Sequence, residues 1–252
     1  MLIKEAHSFK SLCAKLRNVD IAVPGRGRGR KNEHRERWTI CRLVATLAAS
    51  EELRYPISLD RRSPPHPDYL LSLNSRAVGI EVTEATYHDY NRCLDLLGSE
   101  YPHACLDVGL FVPARYDASG NRIPVPENVY RSQLEQNTLV SEGWSSAEPD
   151  WVRAVRASID SKQARLLKHY QRASVTNWLA IKSNLPCEGI ELKKAMNALY
   201  DELKSYWQKL RRFERIFIER GDVIISITSL GWTRFEVNNL WEAANGTSKL
   251  CA

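Results

Sequence analysis

The most constraining feature of this chain is an acid inside its most strand-like run, Val78-Gly79-Ile80-Glu81-Val82. A carboxylate in the middle of an apolar strand is costly unless the fold gives it a partner. The run just before it, Tyr69-Leu70-Leu71-Ser72-Leu73, is also strand-like, and Asn74-Ser75-Arg76 makes a short hairpin connection between Tyr69–Leu73 and Ala77–Thr83. With Leu73 facing Ala77, Asp68 is expected opposite Val82 and beside Glu81. Side chains alternate along a strand, so Glu81 and Thr83 share one face while Val82 and Glu84 take the other. Two carboxylates from neighbouring strands would then reach one hard cation such as Mg²⁺, which takes oxygen ligands and keeps several waters.

The surrounding pattern alternates helices and strands. A helix is expected over Glu33–Leu53, with Trp38, Cys41, Val44, Leu47 and Ala48 at three- and four-residue spacing, ending before Tyr55-Pro56. A strand near Ile57–Leu59 and a Pro/Arg loop over Arg61–Pro67 lead into the hairpin. Trp151–Tyr170 reads as a helix, Trp178–Ile181 as a short buried strand, and Glu191–Arg212 as a long lysine- and arginine-rich helix. Ile216–Ile218 and Val223–Ile227 read as a terminal hairpin. Residues 1–23 read as a short helix and connector, and 24–31 as a Gly/Arg linker. Between 85 and 149 the expectations are a helix at Tyr87–Leu97, a strand at Cys105–Val112, a Pro-rich loop at Ile123–Val129 and a linker at Ser145–Pro149.

Pro67-Asp68 followed by Glu81-Val82-Thr83 resembles the PD-(D/E)XK motif of restriction-type and repair nucleases. The element order is similar to that superfamily's αβββαβ core, over roughly residues 33–84 and 150–182. The resemblance implies an α/β fold with a restriction-endonuclease-like core: a mixed β-sheet flanked by helices, with an insertion at about 85–149 and a C-terminal helix plus hairpin. It divides the chain into an N-terminal helix and basic linker (1–32) and a single nuclease-like domain (33–252). It also implies Mg²⁺ or Mn²⁺ held by Asp68 and Glu81, with the Val82 carbonyl as a further ligand.

The sequence departs from the motif at one position. The family's lysine is expected two residues after the glutamate, where this chain has Thr83, so the pattern is E-x-T. Some members supply the lysine from the following helix. Here Val152, Val155, Ile159, Lys162, Leu166 and Tyr170 share a helical stripe, so Lys162 is a cation on an apolar face. Its two readings are a lysine reaching the acids and a lysine snorkelling at the rim of the stripe. A third acid often comes from the family's first helix. Glu36 is the candidate, against Glu33, Glu51 and Glu52 and against a plain solvated charge.

The function expected from these residues is metal-assisted phosphodiester hydrolysis. Two alternatives of other classes are a catalytically inactive nuclease-like module that binds nucleic acid, favoured by Thr83, and an interaction protein using the 191–212 helix. The net charge of +6 and pI near 9.0 favour a polyanionic partner only modestly. Distribution says more: Arg26, Arg28, Arg30 and Lys31 lie among glycines, and Arg61 and Arg62 precede the hairpin. These cations are candidates for phosphate contacts, DNA ahead of RNA, with a solvated mobile linker as the other reading of 24–31. A homodimer is compatible with a nuclease of this kind.

Other classes are not expected. No apolar run is long enough to cross a bilayer, and MLIKEAHSFKSLCAKL lacks the apolar stretch of a secretory signal. Six dispersed cysteines with no C-x-x-C pair argue against zinc and a disulfide framework, and fit a reducing cytoplasm. The six histidines show no metal-type pairing, and no P-loop, G-x-S-x-G or G-x-G-x-x-G pattern occurs.

Overall fold

The computed structural model describes residues 1–26, 28–74, 76–138, 147–169, 176–187 and 189–241. The expected hairpin link through Ser75, the Ser145–Pro149 linker before Ala147, the Tyr170 end of the long helix and Cys251 lie outside the described residues.

The chain opens with strand β1 (Ile3–Ala6), helix α1 (Phe9–Arg17) and helix α2 (Asn32–Ala49), and continues through strands β2 (Ile57–Arg61), β3 (Tyr69–Leu73) and β4 (Arg76–Ala85). An excursion follows: helix α3 (His88–Ser99), a 3₁₀ turn at Val108–Leu110, a small β5–β6 ribbon (Arg115–Tyr116 and Arg122–Ile123) and helix α4 (Glu127–Gln136). Helix α5 (Glu148–His169) leads back to strand β7 (Thr176–Ser183). Helix α6 (Leu192–Glu202), a 3₁₀ turn at Tyr206–Gln208 and strands β8 (Arg215–Arg220), β9 (Val223–Thr228) and β10 (Gly231–Glu236) complete the described chain.

Eight strands form one mixed sheet in the order β1-β2-β3-β4-β7-β8-β9-β10. The four-stranded meander β1–β4 is antiparallel, β4–β7 and β7–β8 are parallel, and β8–β10 are antiparallel. The fold is therefore α/β, a large mixed sheet flanked by helices. Parallel neighbours need long crossovers, and the two here contain α3–α5 and α6.

The period-2 alternation of β4 assigns its faces. Val78, Ile80 and Val82 pack with Ile40, Val44 and Leu47 of α2. On the opposite face Leu179 and Ile181 pack with Trp151, Val152, Val155 and Ile159 of α5. Each fully buried aliphatic of this kind contributes about 1.5–3 kcal/mol relative to exposure. Central strands buried on both faces leave little room for charge, so the acids that do occur there must be met by cations.

Several elements differ from expectation. Residues 1–23 contribute a strand as well as a helix, with Ile3, Ala6, Leu12 and Leu16 buried. At four residues with Lys4 and Glu5 outward, β1 is too short to reveal itself by alternation. Cys105–Val112 is not a strand: the Asp107 carboxylate accepts from the Gly109 N–H at 2.9 Å and turns the chain into a 3₁₀ bend. The expected Ile123–Val129 loop includes the end of β6 and the start of α4. The long C-terminal helix stops at Glu202. There Tyr206 turns inward, its hydroxyl donating to Gln163 Oε1 at 3.1 Å and accepting from the Phe213 N–H at 2.8 Å. Strand β10 was not expected, because as a half-exposed edge strand it lacks a buried face.

Candidate active site

The β3–β4 register brings the acids together. Tyr69 pairs with Ile80 and Leu73 with Arg76, one position tighter than the expected Leu73–Ala77. Continued by one residue, that register sets Asp68 level with Glu81 rather than with Val82. On the β3 side of this pairing Asn74 takes a positive φ of 48°. Gly79 makes a second contribution. A Cβ there would stand 2.7 Å from Pro67 Cγ and 2.7 Å from Asn177 Oδ1, so only glycine lets Pro67 lie against the strand. Asp68 is fixed as a result: its Oδ2 accepts from the Val82 N–H at 2.8 Å, and its carbonyl accepts from the Arg62 N–H at 2.9 Å.

Glu81 is 4% exposed, and Lys162 supplies its cation. From α5, between Ile159 and Leu166, the Lys162 Nζ donates to Glu81 Oε2 at 2.7 Å and lies 3.5 Å from Asp68 Oδ2. Its side chain is 11% exposed, so it does not snorkel to bulk water. One ammonium therefore serves two carboxylates.

The cluster opens onto a cleft of about 360 Å³ lined in part by Glu36, Asp68, Val82, Thr83 and Lys162. Thr83 offers a neutral hydroxyl there. Glu36 enters from α2 and pairs only distantly with Arg61, at 3.8 Å. Burial, followed by the nearby Asp68 carboxylate, pushes its carboxyl above the usual range. Glu84 is occupied elsewhere, accepting from Arg35 and Asn184.

The expected basic residues separate into groups. Arg26 does not belong to a mobile arm: it donates to Asp95 Oδ1 at 2.6 Å, to the Asn91 carbonyl at 3.1 Å and to Asn91 Oδ1 at 2.8 Å, which straps this segment to α3. Arg30 is half-buried close by, whereas Arg28 and Lys31 are exposed. Arg61 donates to Glu33 Oε2 at 2.9 Å, and Arg62 is exposed at the end of β2. Arg28, Lys31, Arg61 and Arg62 do not line the cleft. Arg165 and Lys182 do, and sequence reasoning missed both. Lys182 directly follows the apolar Trp178–Ile181 run, and a cation inside a central strand was the available signal.

Could this donor set hold a divalent cation? Among the described residues, no group of three or more His, Cys, Asp or Glu side chains is placed to hold a metal. The site does offer two carboxylates from adjacent strands and a backbone oxygen. A residue's N–H and C=O leave a strand on the same side, so the Val82 carbonyl shares the edge its N–H presents to Asp68. Two carboxylates, one carbonyl and a wet cleft match the few protein ligands and several waters of Mg²⁺. The residues fit.

No family model, curated protein or solved structure matches this chain. The functional reading therefore rests on the residues themselves. Among the described residues no helix is long and apolar enough to cross a membrane.

Proposed function

We propose that this chain is a metal-dependent phosphodiesterase that cuts nucleic acid, on a restriction-endonuclease-like core formed by α2, β2–β4, α5 and β7. The observation that carries the reading is the placement of Lys162 Nζ against both Glu81 and Asp68, from a helix that follows the hairpin. An apolar stripe has no packing reason to carry an ammonium, and here it is set against two carboxylates that border an open cleft.

Asp68, Glu81 and the Val82 carbonyl would hold Mg²⁺ or Mn²⁺, with Glu36 beside them. When bound, the cation supplies charge for the phosphate oxygens and lowers the pKa of a water. The chain's own residues do the rest. The Val82 N–H holds Asp68 in one orientation. Lys162 has three N–H donors; one goes to Glu81 and the ammonium also leans on Asp68 at 3.5 Å, which leaves a donor for a phosphoryl oxygen in the cleft as a charge-assisted bond. This fixed positive charge beside the reacting phosphate stabilises the extra negative charge of the transition state. Thr83, in the family's lysine position, can only donate a neutral hydrogen bond. DNA is the substrate favoured over RNA, and a homodimer would let two such sites cut two strands.

A second reading is a nucleic-acid-binding module that does not cut. The 2.7 Å Lys162–Glu81 contact favours it, because it neutralises one of the two acids. Incubating the purified chain with labelled single- and double-stranded DNA and RNA, with Mg²⁺ or Mn²⁺, separates the readings. Cleavage that needs the metal and vanishes in Asp68→Asn supports hydrolysis. Salt-sensitive binding with no products supports the binding module, and cleavage surviving in Asp68→Asn refutes the site.

A further inference from the structure

We propose that Lys182 and Arg30 form a second phosphate subsite beside the carboxylate cluster, which takes a backbone phosphate neighbouring the one at Lys162. This rests on the nucleic-acid reading above and names how the same cleft holds its strand.

Two hollows meet here. The 360 Å³ cleft over Asp68 and a second one of about 460 Å³, bounded by Arg26, Arg30, Arg92 and Asp95, share Arg35 and Asn91 as common walls. The joint groove runs from the acidic cluster to an arginine-rich end between the 24–31 segment and α3. Its acids thus lie where a metal would sit, and its cations where a chain of phosphates would continue.

Three observations mark Lys182 and Arg30 as anion-seeking rather than structural, whereas Arg35 is already paired with Glu84. Among the described residues no carboxylate lies within ion-pair distance of Lys182, whose ammonium rests over the Trp38 ring at 4.9 Å. The Arg30 Nε is buried with no hydrogen-bond partner. Arg26 is strapped to α3, which holds Arg30 near both Arg26 and Arg35 despite their like charge, and the nearby Glu84 and Asp95 offset this only in part. Burial lowers the pKa of Lys182, and Glu219 and Glu84 offset this only in part. A dianionic or diester phosphate would relieve all three conditions at once, since guanidinium and ammonium donors suit its oxygens.

The test measures affinity for a labelled single-stranded DNA oligomer across a NaCl series, in a Glu81→Gln background that prevents cutting. Lys182→Met is compared with Lys182→Arg and with Lys193→Met on the exposed side of α6. The expected result for Lys182→Met is weaker binding, with the slope of log affinity against log salt reduced by about 0.7, the value of one lost single-strand phosphate contact. Lys182→Arg should restore the slope, and Lys193→Met should leave it unchanged. In the cleaving parent, Lys182→Met should raise KM while kcat stays close to its starting value. An unchanged slope in a folded Lys182→Met protein overturns the subsite, even if cleavage is confirmed. A reduced slope in a protein that never cleaves supports the subsite and defeats the hydrolytic reading alone.

Discussion

Two buried acids, both on central strands, are met by cations in opposite ways. On β8, Glu219 accepts from Arg42 Nε at 2.9 Å, and the two side chains are 6% and 5% exposed. Arg42 also donates to the Gly221 carbonyl at 3.3 Å and lies over Trp38 at 4.9 Å. That is one cation for one acid, locked by packing. On β4, Glu81 shares Lys162 with Asp68, which is 28% exposed and borders an open cleft. The first arrangement is enclosed by packing, with Glu219 Oε2 left without a hydrogen-bond partner; the second borders an accessible cleft. A chain keeps the second kind only at some cost, because two carboxylates drawn to one ammonium repel each other. The contrast separates a structural ion pair from a candidate site without reference to any other protein.

Breaking the closed pair should give the largest effect on folding. Arg42→Met strands a buried carboxylate and should cost about 3–5 kcal/mol in urea unfolding, while Arg42→Met/Glu219→Leu should recover most of the loss. Breaking the open cluster should instead act on chemistry. Glu81→Gln keeps an acceptor for Lys162, which still has Asp68 at 3.5 Å. Stability should then change by no more than about 1 kcal/mol, while metal-dependent cleavage falls at least about a hundredfold. Equal losses of stability in the two variants would erase the distinction drawn between them.

Lys162→Met sharpens the comparison further. It leaves Asp68 and Glu81 facing each other without an ammonium, so millimolar Mg²⁺ should raise the melting temperature of this variant more than that of the parent. No such rise is expected for Arg42→Met. A melting curve of Lys162→Met indifferent to Mg²⁺ would count against the metal assignment.

The smallest effect concerns Glu36. Its folded-state pKa is raised, first by burial and then by Asp68, so its ionised form opposes folding. The stability it contributes is present at low pH and lost as pH rises through its raised pKa. Glu36→Gln should therefore be slightly more stable than the parent at neutral pH. The gap should close as the solution is acidified through that pKa, as followed by unfolding at several pH values. A gap that widens on acidification would contradict the sign.

How much of this was legible beforehand depends on which interactions define each part. β3, β4, α2 and α5 announce themselves because their apolar residues recur at the period of the element, and Lys162 and Glu81 stand out as charges breaking that period. The hairpin register differs by one from expectation, because alternation assigns faces but does not say which residues of the two strands stand opposite each other. The 85–138 excursion was read poorly because it is held by side chains bonding to distant backbone. The Asp89 carboxylate pairs with Arg122 at 2.7 Å and accepts from the Val125 N–H at 2.6 Å, and Asp150 Oδ2 accepts from the Ala114 N–H at 2.5 Å. None of these contacts leaves a periodic trace. Lys182 escapes for a related reason: the apolar run ends at Ile181, and the contact that holds its ammonium comes from Trp38 of α2.

The most direct test of the central claim is a count of bound Mn²⁺ by electron paramagnetic resonance in the parent chain, in Asp68→Asn/Glu81→Gln and in Glu219→Gln. Binding of one ion per chain by the parent and by Glu219→Gln, lost in the double variant, is the predicted outcome. Equal binding in all three, or none in the parent, would contradict the account.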